Sequence, residues 1–334
     1  MKSLTQSLEK VGKRPPFTIP GGFHTCPPSI LKLVQILNAP APDLDTLDHK
    51  MVYDFSEKNP QGIAYAYTDV WFLSAETNLF KYSIKGPNLF NPIVRRLKKK
   101  SLSTLIAASD ITMTGHKFDH IGGISWFDGL LFASVRDKGS KEQHIVIALN
   151  HNLDLVGYSW LARGTLDAWC SVNPWDRLLY MSVKDSAKYF VTYDVSAYYG
   201  LLDQPDKWGK EVPISLTGKK FYFYKQDRKP DEVTSVQSAS FSPNGRLYVA
   251  WYVGHEVAGT TTRWTNHIRI YNALTGVRLD DKEYDFAGVG DEIEGITVHP
   301  SGYIYVAVAD NDVKPGTDEF ELHAFNYRDP TQLM

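Results

Sequence analysis

Residues 119–135 read DHIGGISWFDGLLFASV. His120 stands ahead of the pair Gly122-Gly123, and the apolar run 124–127 follows. Asp128-Gly129 interrupts it, and 130–135 is a second apolar run. Asp-Gly between two apolar runs of strand length signals a tight β-hairpin. Glycines at the head of a strand mark a place where another backbone comes close.

The same grammar returns along the chain. Gln61 leads into 62–68, with strands expected at 70–75, 79–84 and 104–109. His120 leads into 122–127, then 130–135, 144–150 and 155–162. Asp167 leads into 168–174, then 177–183, 189–195 and 221–225, with 196–220 as an insertion. Gln237 leads into 238–243, then 246–252, 267–273 and 277–286. Glu294 leads into 295–300, then 303–309 and 320–327. The turns agree: 242–246 is SPNGR, 299–303 is HPSGY and 173–177 is NPWDR. Four-stranded units repeated radially make a β-propeller. The expected fold is therefore all-β, a β-propeller of five blades of four strands. Six blades would need strands hidden in the N-terminal region and in 196–220.

The last unit offers three strands. Leu31–Asn38, an apolar run confined by prolines, is expected to supply the fourth and tie the ring shut from the other end of the chain. This divides the chain into an N-terminal arm, 1–30, and a single propeller domain, 31–334.

Aromatic residues make up 13% of the 334 residues, which suits pleated strands. The net charge of -2 gives no electrostatic reason for nucleic acid or an anionic membrane as partner. The one basic cluster, Arg95 to Lys100, reads as a solvated loop between strands, with an anion- or partner-binding patch as the alternative. The N-terminus has no apolar core of signal-peptide type, and no stretch approaches a membrane span, so a cytoplasmic protein with a small-molecule substrate is expected. Cys26 and Cys170 lack metal-type spacing, and their pairing is left open.

The lead-ins His120-Ile121-Gly122-Gly123-Ile124 and Glu294-Gly295-Ile296 resemble those of gluconolactonase-like and strictosidine-synthase-like propellers. Those families usually have six blades. The resemblance implies a central site of carboxylates and amides around a divalent cation. It also implies hydrolysis of a lactone or ester as the nearest chemistry, with cyclisation or isomerisation of a natural product as a rival.

In a propeller the first strand of each blade lines the axis, so the five lead residues should ring one mouth. His120, Asp167 and Glu294 are the candidate catalytic residues, as general acid and base. The same three are the candidate ligands of one divalent cation of the calcium or zinc class. Gln61 and Gln237 are candidate substrate-binding residues. So are Arg136, Lys184 and His255, which recur at nearly the same point after their strands. Trp126, Trp169 and Trp251 could form an apolar wall, and 253–266 is a long loop placed to act as a lid. A non-catalytic sugar- or protein-binding propeller is the reading from a different class. Five lead residues of unlike type argue for one asymmetric central site rather than one pocket per blade.

Overall fold

The computed structural model describes residues 49–85, 92–139, 143–183, 186–242, 245–257, 261–284, 291–299, 303–310 and 319–325. Strand β1 (His49–Lys58) is followed by blade I: β2 (Pro60–Tyr67), β3 (Val70–Ala75), β4 (Asn78–Lys85) and β5 (Ile93–Ser101). Helix α1 (Leu102–Ala107) leads to blade II: β6 (Phe118–Phe127), β7 (Leu130–Asp137), β8 (Ile145–Leu149) and β9 (Leu155–Trp160). Blade III holds β10 (Thr165–Val172), β11 (Leu178–Val183), β13 (Tyr189–Asp194) and β15 (Ser215–Tyr222). Its insertions are β12 (Ser186–Ala187), helix α2 (Ser196–Tyr199) and β14 (Lys210–Glu211). After β16 (Val233–Thr234), blade IV is β17 (Val236–Phe241), β18 (Arg246–Val257), β19 (Thr261–Asn272) and β20 (Arg278–Tyr284). Blade V is β21 (Glu292–Val298), β22 (Ile304–Asp310) and β23 (Glu319–Phe325), with β1 as its outer strand. The fold is a five-bladed β-propeller.

The ring is closed by β1, not by Leu31–Asn38, which lies outside the described residues, as does the arm 1–30. β1 runs antiparallel to β23, from His49 opposite Phe325 to Lys58 opposite Glu319. Two register shifts interrupt it, after Met51 and after Phe55. They break the apolar alternation that would have marked it as a strand. Val52 and Phe55 nevertheless pack with Tyr305, Phe320 and Leu322 of blade V and with Tyr82 and Ile84 of blade I. The closing strand therefore joins the last blade to the first through side chains as well as hydrogen bonds.

Two blade edges also differ from expectation. The basic run 95–100 is not a loop but the body of β5, the outer strand of blade I. The stretch expected as that strand, 104–109, begins instead within α1, where Leu102, Leu105 and Ile106 are buried at helical spacing. Ser101 caps the helix, accepting a hydrogen bond from the Thr104 amide at 3.1 Å. In blade III the outer strand is β15, ahead of the expected 221–225. The insertion also lends β14 to β9 in parallel, so blade II has five strands.

Between blades the core is aromatic and aliphatic, and the axis is closed by glycine. A Cβ on Gly62 would lie 2.9 Å from the Cα of Gly123. One on Gly295 would lie 2.8 Å from the Ile63 amide nitrogen, and one on Gly123 would lie 2.8 Å from the Cβ of Trp169. Small hydroxyls clasp the converging inner strands: Ser74 donates to the Gly122 carbonyl at 2.9 Å and Ser134 to the Gly123 carbonyl at 3.2 Å. Gly123→Ala is expected to cost about 1–3 kcal/mol, because fully buried Trp169 cannot retreat. Gly200→Ala is the control, since its new Cβ would meet nothing nearer than 3.5 Å. Melting temperatures check the pair: the first variant should fall by several degrees and the second by little.

Candidate functional site

The inner strands start at one face of the ring and end at the other. Their starts carry the expected lead residues, and bulges decide which of these share a level. In β2 the register passes from Pro60 to Gly62 and leaves Gln61 unpaired. In β17 it skips Gln237, and in β21 it skips Glu294. The glycine contacts place Gly123 beside Gly62 and Trp169 beside Gly123. Two equivalent inter-blade bonds fix the same alignment: the Tyr65 amide donates to Thr297 Oγ1, and the Val172 amide to Ser125 Oγ, both at 3.1 Å. The level of Gln61, Gln237 and Glu294 is therefore completed by Gly122 and Ala168.

His120 is two residues nearer the mouth than this level and Asp167 one. His120 pairs with Arg136 across β6 and β7 and is half-buried. Asp167 shares its register position with Pro60, Ile121, Val236 and Ile293, and its side chain lies outside the described residues. Of the three residues expected to act together, the ring level holds Glu294 alone. Among the described residues, no three His, Cys, Asp or Glu side chains converge as a cation would require.

What does converge lies between blades IV and V. Glu292, two residues ahead of Glu294 on β21, accepts a hydrogen bond from Gln237 Nε2 at 2.6 Å. Tyr252 on β18 also bonds Glu292. Burial first, then Glu292 and Glu294, push the Tyr252 phenol well above its ordinary range. Two carboxylates on one strand thus act on one hydroxyl, and Glu294 is the more buried of them, at 8% exposure. Asn266, opposite Tyr252 on β19, fixes this arrangement. Its amide donates to the Asp291 carbonyl at 2.7 Å, and its oxygen accepts from the Ile293 amide at 2.8 Å. Blade IV thereby grips the start of β21 on both sides of Glu292. Glu292 and Tyr252 were missed by the sequence reading. Glu292 differs from Glu294 only by sitting before the bulge, and the i, i+2 spacing of the two carboxylates was the available signal.

Arg136, on the blade II side, donates through Nε to Asp119 at 3.1 Å, and Lys138 lies 3.4 Å from the same carboxylate. Lys184 lies outside the described residues. His255 falls within β18, and its side chain is not among those described. The expected lid loop 253–266 is mostly hairpin. β18 and β19 stay paired from Val253 opposite Thr265 to Val257 opposite Thr261. Trp169 and Trp251 are buried and belong to the blade III–IV core, whereas Trp126 is partly buried against Phe72. Cys170 is a buried free thiol whose pKa burial pushes up.

The opposite end of the axis carries a different group. His299, just after β21, packs edge-on against Tyr65 at 4.2 Å and lies parallel to Trp71 at 6.0 Å. Burial lowers its pKa from 6.5 to about 4, with Asp69 opposing. A histidine held neutral in the fold stabilises it above its unfolded pKa, and that contribution is lost as the pH falls from about 6.5 toward 4. The expected loss is on the order of 2 kcal/mol after allowance for partial exposure. Melting temperature against pH for wild type and His299→Phe should show the wild-type slope in this window flattened in the variant.

No family model matches the chain, and no curated protein matches it. Solved propellers do. One is a β-xylosidase, RS223, at 10% identity and a TM-score of 0.49, covering 83% of this chain and 94% of that one. Another is the GH43_1 enzyme from Xanthomonas citri complexed with xylotriose, at 9% identity and a TM-score of 0.49, covering 88% and 93%. A third is an exo-1,5-α-L-arabinanase from a bovine ruminal metagenomic library, at 8% identity and a TM-score of 0.44, covering 82% and 94%. At these values the likeness is one of general shape. It transfers neither an activity nor the expected kinship with gluconolactonase-like propellers. No helix among the described residues is long and apolar enough to cross a membrane.

Proposed function

We propose that the protein is a hydrolase of a small polyhydroxylated substrate, a glycoside, acting at the blade IV–V side of the mouth. The observation that carries this reading is the Glu292 carboxylate, held by Gln237 and Tyr252 with Glu294 close by. Adjacent carboxylates in partial burial cannot both ionise freely, and such a pair supplies one acid and one base near neutral pH. Glu294, the more buried, takes the role of general acid, and Glu292 that of the ionised partner. Amide, phenol and carboxylate together also match the alternating donors and acceptors of sugar hydroxyls.

His120 and Asp167 stand at other register positions than Glu294, so an acid–base pair is favoured over a cation-assisted lactone or ester hydrolysis. Nothing in the geometry favours cyclisation or isomerisation. Pentose glycosides are the first probes, in view of the xylosidase and arabinanase likenesses. Release of the aryl group from aryl pentosides and hexosides is measured, alongside thermal shift with xylotriose. A loss of about 10²-fold or more in Glu294→Gln on glycosides with poor leaving groups supports the proposal. A thermal shift without turnover of any glycoside would sink it and leave a sugar-binding propeller.

A further inference from the structure

The outer edge of blade I is unlike an ordinary solvated edge. β5 reads IVRRLKKKS, and with β4 it forms a ladder of cations. Lys81 stands directly opposite Lys98, Ser83 opposite Arg95, and Lys85 opposite Ile93. Lys100, opposite Leu79, continues the same face. Successive rungs are about 6.8 Å apart along β4, and on β5 a register shift leaves Leu97 without a partner on β4 between Arg96 and Lys98. Arg96 and Lys99 occupy the other face. Three carboxylates answer these seven cations: Glu57 bonds Arg96 at 2.8 Å, Asp154 lies 3.4 and 3.6 Å from Lys98 and Lys100, and Asp69 lies 3.9 Å from Lys85. Among the described residues an excess of four positive charges remains along the two strands. Directly opposed lysines are destabilising in a sheet. The Lys81 ammonium is held below its usual range by burial and by Lys98.

Lysine on an edge strand is a common defence against unwanted pairing. A purely defensive edge would not also present apolar side chains, yet Ile93 is 74% exposed and Leu97 46%. Both line a cavity of about 500 Å³ with Val70, Asp69, Lys85 and Arg95. Among the described residues no strand pairs with the outer edge of β5.

We propose that this edge is a docking site for an extended acidic polypeptide segment of a partner protein, added to blade I as a further strand. Alternate carboxylates of such a strand would meet Lys98 and Lys100 on one side of the Leu97 bulge and Arg95 on the other. On that same face, an apolar residue two positions beyond the carboxylate that meets Arg95 would cover Ile93. Main-chain hydrogen bonds supply affinity in this mode, and the paired charges supply selection.

The probe is a fluorescent octapeptide of glutamate alternating with valine and threonine, read by polarisation against the full chain. Saturable binding is expected, weakened by about tenfold or more in the double variant Arg95→Glu, Lys98→Glu. It should be weakened comparably when the peptide's pairing amides are N-methylated. Equal binding of the N-methylated peptide overturns the proposal, because charge attraction alone would explain it. Absence of binding also overturns it. So does binding seen only after Asp43, Asp45 and Asp48 are changed to asparagine, since the chain's own acidic stretch would then be the occupant. Both substituted cations lie near the surface of β5, so an unchanged melting temperature will show that the variant is folded.

Discussion

Glu294→Gln is expected to lower turnover of a cleaved glycoside by about 10²–10⁴-fold, the usual worth of a positioned general acid, with KM little changed. Glutamine keeps the shape and hydrogen-bonding capacity of the side chain and removes only its proton exchange. Glu292→Gln should behave differently. It removes the charge that Tyr252 and Gln237 address, so both KM and kcat should move. A glycoside with a good leaving group needs no acid for its departure, and it should recover much of the rate in Glu294→Gln but not in Glu292→Gln. A matching loss on good and poor leaving groups in Glu294→Gln would remove it from the acid's role. The pH–rate profile provides a second check: the limb at higher pH belongs to the acid and should vanish in Glu294→Gln.

Asp231→Ala is expected to destabilise the fold by about 3–5 kcal/mol. Asp231 lies in the connection that enters blade IV and is 3% exposed. Its carboxylate accepts a hydrogen bond from the Tyr271 hydroxyl at 3.1 Å and lies 3.4 Å from Arg278 and 3.7 Å from Arg269. Arg269 also donates to the Glu232 carbonyl at 2.7 Å and to Asp281 at 2.8 Å, and its guanidinium covers the Trp251 ring at 4.3 Å. Two arginines and two aspartates balance in this network. Removing Asp231 leaves both arginines answered by the single carboxylate of Asp281. Denaturant unfolding followed by tryptophan emission checks this, because Trp251 lies under Arg269. The double variant Asp231→Ala, Arg278→Met should recover part of the loss. A loss below about 1 kcal/mol in the single variant would mean that Asp281 alone suffices for both arginines.

Both predictions depend on contacts that no strand pattern announces, whereas the architecture itself was open to reading. The Asp128-Gly129 turn has φ values of 52 and 92 degrees, the pair of positive angles that a tight hairpin requires. From that hairpin and its repeats the five blades followed. Three things stayed hidden, and each has a physical reason. Bulges lengthen a strand by a residue without disturbing its local composition, so His120 and Asp167 looked equivalent to Glu294 when they are displaced from it along their strands. The closing strand His49–Lys58 carries two such irregularities and so lost its alternation. Among the described residues the basic run 95–100 pairs along one edge only, so charged side chains could replace the apolar ones by which strands are recognised. Glu292 escaped for a related reason. Its partners Gln237 and Tyr252 come from two different strands of the neighbouring blade, a proximity that only the closed ring creates.

Closing the ring with β1 has a consequence for synthesis. β1 leaves the ribosome 261 residues before β23, its hydrogen-bonding partner. At about 5–20 residues per second, this strand waits on the order of tens of seconds with no mate. During that interval the nascent chain is an open arc whose first and last surfaces are both sticky. Throughput in the cell should therefore depend on how quickly translation reaches residue 319. Slow codons between β1 and β23 should lengthen this interval and harm yield, whereas slow codons before β1 should not.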